Sequence, residues 1–120
     1  MKTKILVIDD SKLTLKLICF ILERNDFEIV TAEDGNEAIE KFDESKPDLV
    51  IVDILLPFKS GLEVTHHIKS KSSKTPVVVL SGLGDEEYTV EKAFESEVDD
   101  FVSKPFSPNE LLLRVKRLLK

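Results

Sequence analysis

A doubly wound α/β fold, with a parallel sheet of five strands between two layers of helices, is predicted by three observations. Short runs of consecutive apolar, mostly β-branched residues recur five times, at 4–9, 27–32, 48–53, 76–81 and 101–103. Runs of this kind suit strands covered on both faces. Stretches of helical periodicity lie between them, opened by capping residues at Ser11, Asp34, Ser60 and Ser107. The resulting order is βα five times. Alternation of this kind means parallel strands, right-handed crossovers and helices on both faces of the sheet.

The elements follow in order. Lys4-Ile-Leu-Val-Ile-Asp9 is the first strand, and Ser11 caps a helix running to about Arg24. That helix is unusually apolar. Leu17, Ile18, Ile21 and Leu22 make one helical stripe and are expected to be its core face, while Leu13, Leu15, Cys19 and Phe20 fall partly outside it, either as peripheral core, the reading favoured, or as a partner surface. Phe27–Ala32 is the second strand. Asp34 and Glu37 resemble a capping box, opening a helix that buries Ala38, Ile39 and Phe42 and stops before Pro47. Strand three, Asp48-Leu-Val-Ile-Val-Asp53, ends in a carboxylate, and Pro57 and Gly61 then turn the chain away. Ser60 and Glu63 open the third helix, which carries Leu62, Val64 and Ile68. His66 and His67 are neighbours on it, about 100° apart around the axis. They cannot share one metal, so they are read as surface or structural residues. Pro76–Ser81 is the fourth strand. Asp85, Glu86 and Glu87 place negative charge in the first turn of a fourth helix, which favours the dipole. Phe101–Ser103 is the fifth strand. Ser107, Pro108 and Glu110 start a fifth helix, with Leu111, Leu112, Val115, Leu118 and Leu119 as its buried stripe.

Composition excludes several function classes. A chain of 120 residues, 42% hydrophobic and 33% charged, is one globular domain spanning 1–120. Its net charge of −6 argues against nucleic-acid binding, which needs a basic face. There is no signal-peptide pattern and no apolar run long enough to span a membrane. The single Cys19 rules out an internal disulfide and a cysteine-rich zinc site. A cytoplasmic setting is the expectation that fits best.

Chemistry gathers at the strand ends. Asp9 and Asp10 follow strand one, Asp53 ends strand three, Ser81 ends strand four and Lys104 follows strand five. In parallel sheets the working crevice lies beyond the carboxyl ends of the strands. Carboxylates that converge there raise one another's pKa or need a cation between them. Mg²⁺ suits such a set, because it takes one or two carboxylates, several waters and phosphate oxygens. Asp53 can then attack phosphorus and form an acyl phosphate. Lys104 and the metal would neutralise the equatorial oxygens, and Ser81 can donate to one of them.

Ile8-Asp9-Asp10-Ser11, the Asp53-to-Pro57 spacing with Gly61 beyond, Leu80-Ser81-Gly82 and Asp99-Asp100-Phe101-Val-Ser-Lys104-Pro105-Phe106 together resemble the receiver domain of two-component response regulators. The resemblance runs from Lys4 to Leu119. It implies a flavodoxin-like sheet of strand order 2-1-3-4-5. It implies that Asp53 accepts phosphate from a phosphohistidine on a sensor histidine kinase or histidine phosphotransfer protein. On the second reading of the first helix, its apolar excess is a docking surface for that phosphodonor, which Leu15→Asp would disrupt. Such a domain catalyses its own phosphorylation and turns over no metabolite. Asp10, Asp53 and the Leu55 carbonyl would ligate Mg²⁺ directly, with Asp9 acting through water. The Lys104–Pro105 bond would be cis. Ser81 and Phe101 would be the switch residues, and a homodimer would form through the face of the fourth helix, fifth strand and fifth helix. In that family the side chains two residues after the acceptor and two after the hydroxyl flank the path of attacking water. Here they are Leu55 and Leu83, both apolar, so slow loss of the phosphoryl group is expected. The pattern is broken at Glu97-Val98, where receivers carry Gly-Ala, and by one extra residue between Ser81 and Lys104.

Three other readings compete. A metal-dependent phosphohydrolase would need an Asp-x-Asp signature and a cap insertion. A flavin carrier would need a Ser/Thr/Gly-rich loop after strand one, where Asp9 and Asp10 would repel phosphate. A degenerate receiver used only for docking would not need the intact set Asp9, Asp10, Asp53, Ser81 and Lys104.

Overall fold

The computed structural model describes residues 2–82 and 98–120. Among them the order is β1 (Lys4–Ile8), α1 (Lys12–Glu23), β2 (Glu28–Ala32), α2 (Gly35–Ser45), β3 (Leu49–Asp53), α3 (Gly61–Lys71), β4 (Val77–Ser81), β5 (Asp100–Ser103) and α4 (Pro108–Leu118). Helix α4 is thus the fifth helix of the sequence reading. The expected fourth helix, with Asp85, Glu86 and Glu87, falls at 83–97 and lies outside the described residues.

The five strands form one sheet in the order β2-β1-β3-β4-β5, every neighbouring pair parallel. That is the order the sequence resemblance implied. Register sets the strand ends level with one another: Ile8 pairs with Ala32 and Val52, Asp53 with Leu80, and Ser81 with Ser103. The side chains of a strand alternate between faces, and here both faces are covered. Ile5, Val7, Leu49, Ile51, Val78 and Leu80 pack under α1 and α4, whereas Leu6, Ile8, Val50, Val52, Val77 and Val79 pack under α2 and α3. This double covering is why the strands read as unbroken apolar runs.

All four capping residues act as the sequence predicts. Oxygens of Ser11, Asp34, Ser60 and Ser107 accept from the backbone N–H groups of Thr14, Glu37, Glu63 and Glu110. The Glu37 carboxylate reaches back to the N–H of Glu33, one residue before the cap.

The core face of α1 differs from expectation. Leu15, Ile18 and Leu22 are buried, while Leu17 is 43% exposed together with Leu13 and Phe20. A helix apolar on most sides has no unique stripe, so contact with the sheet and α4 selects the face. In α4 only Leu111 and Val115 are fully buried, and Leu112, Leu118 and Leu119 pack around them half-buried. His66 is exposed. His67 Nε2 lies 3.4 Å from Asp43 Oδ1 and its ring meets Phe42 edge-on, in keeping with a surface role.

Candidate functional site

The site is built from chain ends that leave the sheet together. β1 stops at Ile8, and the next residue is Asp9, fully buried. Its two oxygens have separate partners: Oδ1 accepts the Ser11 backbone N–H at 2.9 Å, and Oδ2 accepts Lys104 Nζ at 2.9 Å. Ser11 therefore does two jobs, capping α1 with its side chain and fixing Asp9 with its backbone. The first was legible in the sequence and the second was not, since backbone donors carry no residue signature.

Asp53 closes β3, the central strand, and is 8% exposed. Lys104 Nζ donates to its Oδ2 at 3.2 Å. The chain after Asp53 is pinned, because Ile54 N–H donates to the Leu80 carbonyl at 3.0 Å and Gly61 N–H to the Ile54 carbonyl at 2.8 Å. Gly61 is required here: a Cβ at that position would strike the Asp53 carbonyl. Lys104 is held from the other side, where its own N–H donates to the Ser81 carbonyl at 2.6 Å. The Lys104–Pro105 bond is cis.

Asp10 is exposed beside this pair. Oxygens of Asp9, Asp10 and Asp53 all lie within 4.8 Å of one another. One ammonium against three carboxylates leaves the cluster short of positive charge. Burial, then the neighbouring Asp9 charge, push the Asp53 carboxyl above its ordinary range, and Lys104 and the Leu55 N–H oppose the shift without cancelling it. For Lys104, burial works to lower the ammonium, but Asp9 and Asp53 outweigh it and hold its pKa raised. The hard oxygen donors and missing cationic charge fit a divalent ion such as Mg²⁺.

The remaining predicted residues are close but separately placed. Ser81 is buried at the end of β4, and its hydroxyl donates over 3.4 Å to the Gly82 carbonyl. Leu55 is 63% exposed on the loop leaving Asp53. Phe101 is half-buried in β5 and packs against the core under α2 and α3. Leu83 and Glu97 lie outside the described residues. A groove of about 430 Å³ adjoins the site, lined by Thr14, Leu17, Lys104, Pro105 and Phe106. It joins the exposed face of α1 to the catalytic lysine candidate.

Comparison with known proteins agrees with this geometry. The chain matches the response regulator receiver domain over residues 5–116. It is 39% identical to the phosphate regulon transcriptional regulatory protein PhoB of Escherichia coli, across all of this chain and 53% of that protein. It is 43% identical to the transcriptional regulatory protein ResD of Bacillus subtilis, across 99% of this chain and 49% of that one. It thus spans about half the length of these curated relatives. A response regulator receiver domain protein from Clostridium thermocellum superposes with a TM-score of 0.91 at 30% identity, covering 98% of this chain and 94% of that one. With its sheet order, its acidic cluster and its lysine placed as described, the chain belongs to the receiver domain family of two-component response regulators.

Proposed function

We propose that Asp53 is the phosphoacceptor and that residues 1–120 form a single receiver domain. Receivers are signalling domains of two-component systems rather than turnover enzymes, and the family takes phosphoryl groups from histidine kinases and binds Mg²⁺ in an acidic pocket. The observation that carries the assignment is the position of Asp53. It is the buried carboxylate at the end of the central strand, and it shares Lys104 with Asp9.

In the proposed reaction an Asp53 oxygen attacks the phosphorus of a phosphohistidine. A P–O bond forms as the P–N bond breaks, and the imidazole leaves with the bonding electron pair and takes up a proton. Asp10, Asp53 and the Leu55 carbonyl would hold Mg²⁺, which supplies positive charge to the phosphoryl oxygens when bound. Asp9 acts behind them, keeping Lys104 in place. Lys104 stands where it can exchange its bond to Asp53 for one to a phosphoryl oxygen. Ser81 gives up its contact with Gly82 to donate to another, and Phe101 in the neighbouring strand follows. The domain would thereby catalyse its own phosphorylation and dephosphorylation.

The proposed donor is a phosphohistidine on a sensor histidine kinase or phosphotransfer protein, seated on the exposed face of α1. A homodimer through the fourth and fifth helices of the sequence reading and β5 rests on the family resemblance, and part of that face falls within 83–97. The chain's charge of −6 gives phosphates little to bind, so direct contact with nucleic acid is not proposed for this domain. No described helix is long and apolar enough to cross a membrane, and we keep a cytoplasmic location as part of the reading.

The test is incubation with a small phosphodonor and Mg²⁺, followed by intact mass. A gain of one phosphoryl group is expected in the wild type and none in Asp53→Asn. A gain that persists in Asp53→Asn would overturn the assignment. Continuous release of phosphate from external phosphoesters would favour a phosphohydrolase instead.

A further inference from the structure

At the pole opposite Asp53, the ends of α2 and α3 enclose a cleft of about 580 Å³. Helix α3 starts at Gly61 beside the acceptor strand and runs eleven residues, a length of about 16 Å, to Lys71 at the cleft. Its size falls in the range of small-ligand sites. Phe42 and Pro47, both buried, line its apolar part, and Lys46 and Lys71 stand exposed at its margin.

The charge in this cleft is unspent. Its lining holds one carboxylate, Asp43, 3.4 Å from His67 Nε2, against the two lysines. Among the described residues, neither Lys46 nor Lys71 has a carboxylate partner. Helix C-termini often consume such cations through their free carbonyls, but here other donors take that part. The Phe42 carbonyl accepts the Lys46 N–H and the Ser45 carbonyl accepts Lys4 Nζ. The Ile68 carbonyl accepts the Ser72 N–H, and the His67 carbonyl accepts Ser70 Oγ. Lys69 Nζ, nearly buried, spans the Thr75 carbonyl and Asp99. Both ammonium groups at the margin therefore remain available.

The floor adds a buried hydroxyl pair. Thr75 is 8% exposed, and its Oγ1 lies 2.7 Å from Ser72 Oγ. Two hydroxyls bonded to each other use one of their two protons. The other proton has no acceptor among the described residues. Two ammonium groups, one spare hydroxyl donor and an apolar wall select an oxyanion rather than a cation.

We propose that this cleft is a binding site for a small organic oxyanion, a phosphate monoester or carboxylate carrying a short apolar group. Lys46 and Lys71 would meet the oxygens, with the Ser72–Thr75 pair donating to one of them and the carbon group lying against Phe42 and Pro47. The site is independent of the phosphoacceptor reading, since it shares no residue with it.

The test is amide chemical-shift titration of the Mg²⁺-free protein with inorganic phosphate, phenyl phosphate and benzoate, at constant ionic strength in chloride. Saturable shifts are expected at Lys46, Ser72 and Thr75, following one binding curve. Tighter binding of phenyl phosphate than benzoate would mark a phosphate ligand, and the reverse a carboxylate; either supports the site. The Lys46→Gln/Lys71→Gln variant should weaken binding about tenfold or more. Thr75→Val, similar in shape, should weaken it several-fold while a dispersed spectrum shows the fold intact. Shifts that never saturate, that appear only around Lys104, or that persist unchanged in these variants would overturn the proposal.

Discussion

The raised pKa of Asp53 means that ionising it costs the folded state stability, with a definite pH signature. Its folded-state pKa is raised above the ordinary 3.8, mainly by burial and then by Asp9. The folded state therefore binds this proton more tightly than the unfolded state, and stability falls as pH rises through the shifted range. Asp53→Asn removes the penalty. In the absence of metal the variant should melt a few degrees higher at neutral pH, with the gain shrinking towards zero below about pH 4. Thermal melts across pH would check this, and equal melting points at every pH would mean that Lys104 fully compensates the charge. Leu55 poses a separate question. It is 63% exposed beside the acceptor, apolar, and unable to orient a water. Leu55→Asn should speed loss of the phosphoryl group several-fold, since positioning the nucleophile is a large part of such catalysis. Decay after donor removal measures it, and an unchanged rate would show that Leu55 leaves the water path open. The companion residue Leu83 lies outside the described residues.

Among the elements, α1 separates a core face from a free one more sharply than its sequence suggests. Leu15, Ile18 and Leu22 hold it to the sheet, and Leu13, Leu17 and Phe20 point away. Arg24 rests over the Phe20 ring at 5.3 Å, and Leu17, with Thr14, lines the groove beside Lys104. Leu15 is thus the wrong place to probe a partner surface. Leu15→Asp would bury a carboxylate without a partner and cost about 3 kcal/mol or more. Leu17→Asp should change stability by less than about 1 kcal/mol, slow transfer from a cognate phosphohistidine donor about tenfold or more, and leave labelling by a small phosphodonor intact. Parallel time courses with both donors decide it, and equal loss with both would point to damage at the site itself.

At the scale of the molecule, the acidic cluster couples folding to metal. A cation that binds the native cluster and not the unfolded chain stabilises by about 2.7 kcal/mol at one hundred times its dissociation constant. Mg²⁺ should therefore raise the melting temperature, and a chelator should reverse the rise. Asp10→Asn should blunt it without moving Lys104, whose ammonium, among the described residues, pairs with Asp9 and Asp53 and not with Asp10. A melting point insensitive to Mg²⁺ would mean that the three carboxylates do not act as one site. Much of this design is local and therefore readable in the chain. Each apolar run sits between punctuating residues, each capping oxygen lies three residues before the N–H it accepts, and Asp9, Asp53, Ser81 and Lys104 all stand where a strand stops. These depend on neighbours within a turn or a strand, so residue order alone determined them. Sequence could not choose the buried side of α1, because a helix apolar on most sides is degenerate until a sheet meets it. Nor could it show that Ser11 N–H and Lys104 divide the two oxygens of Asp9, or that Gly61 must leave room for the Asp53 carbonyl. Those relations join residues up to ninety-five positions apart, and they exist only after the parallel sheet has brought its strand ends into register.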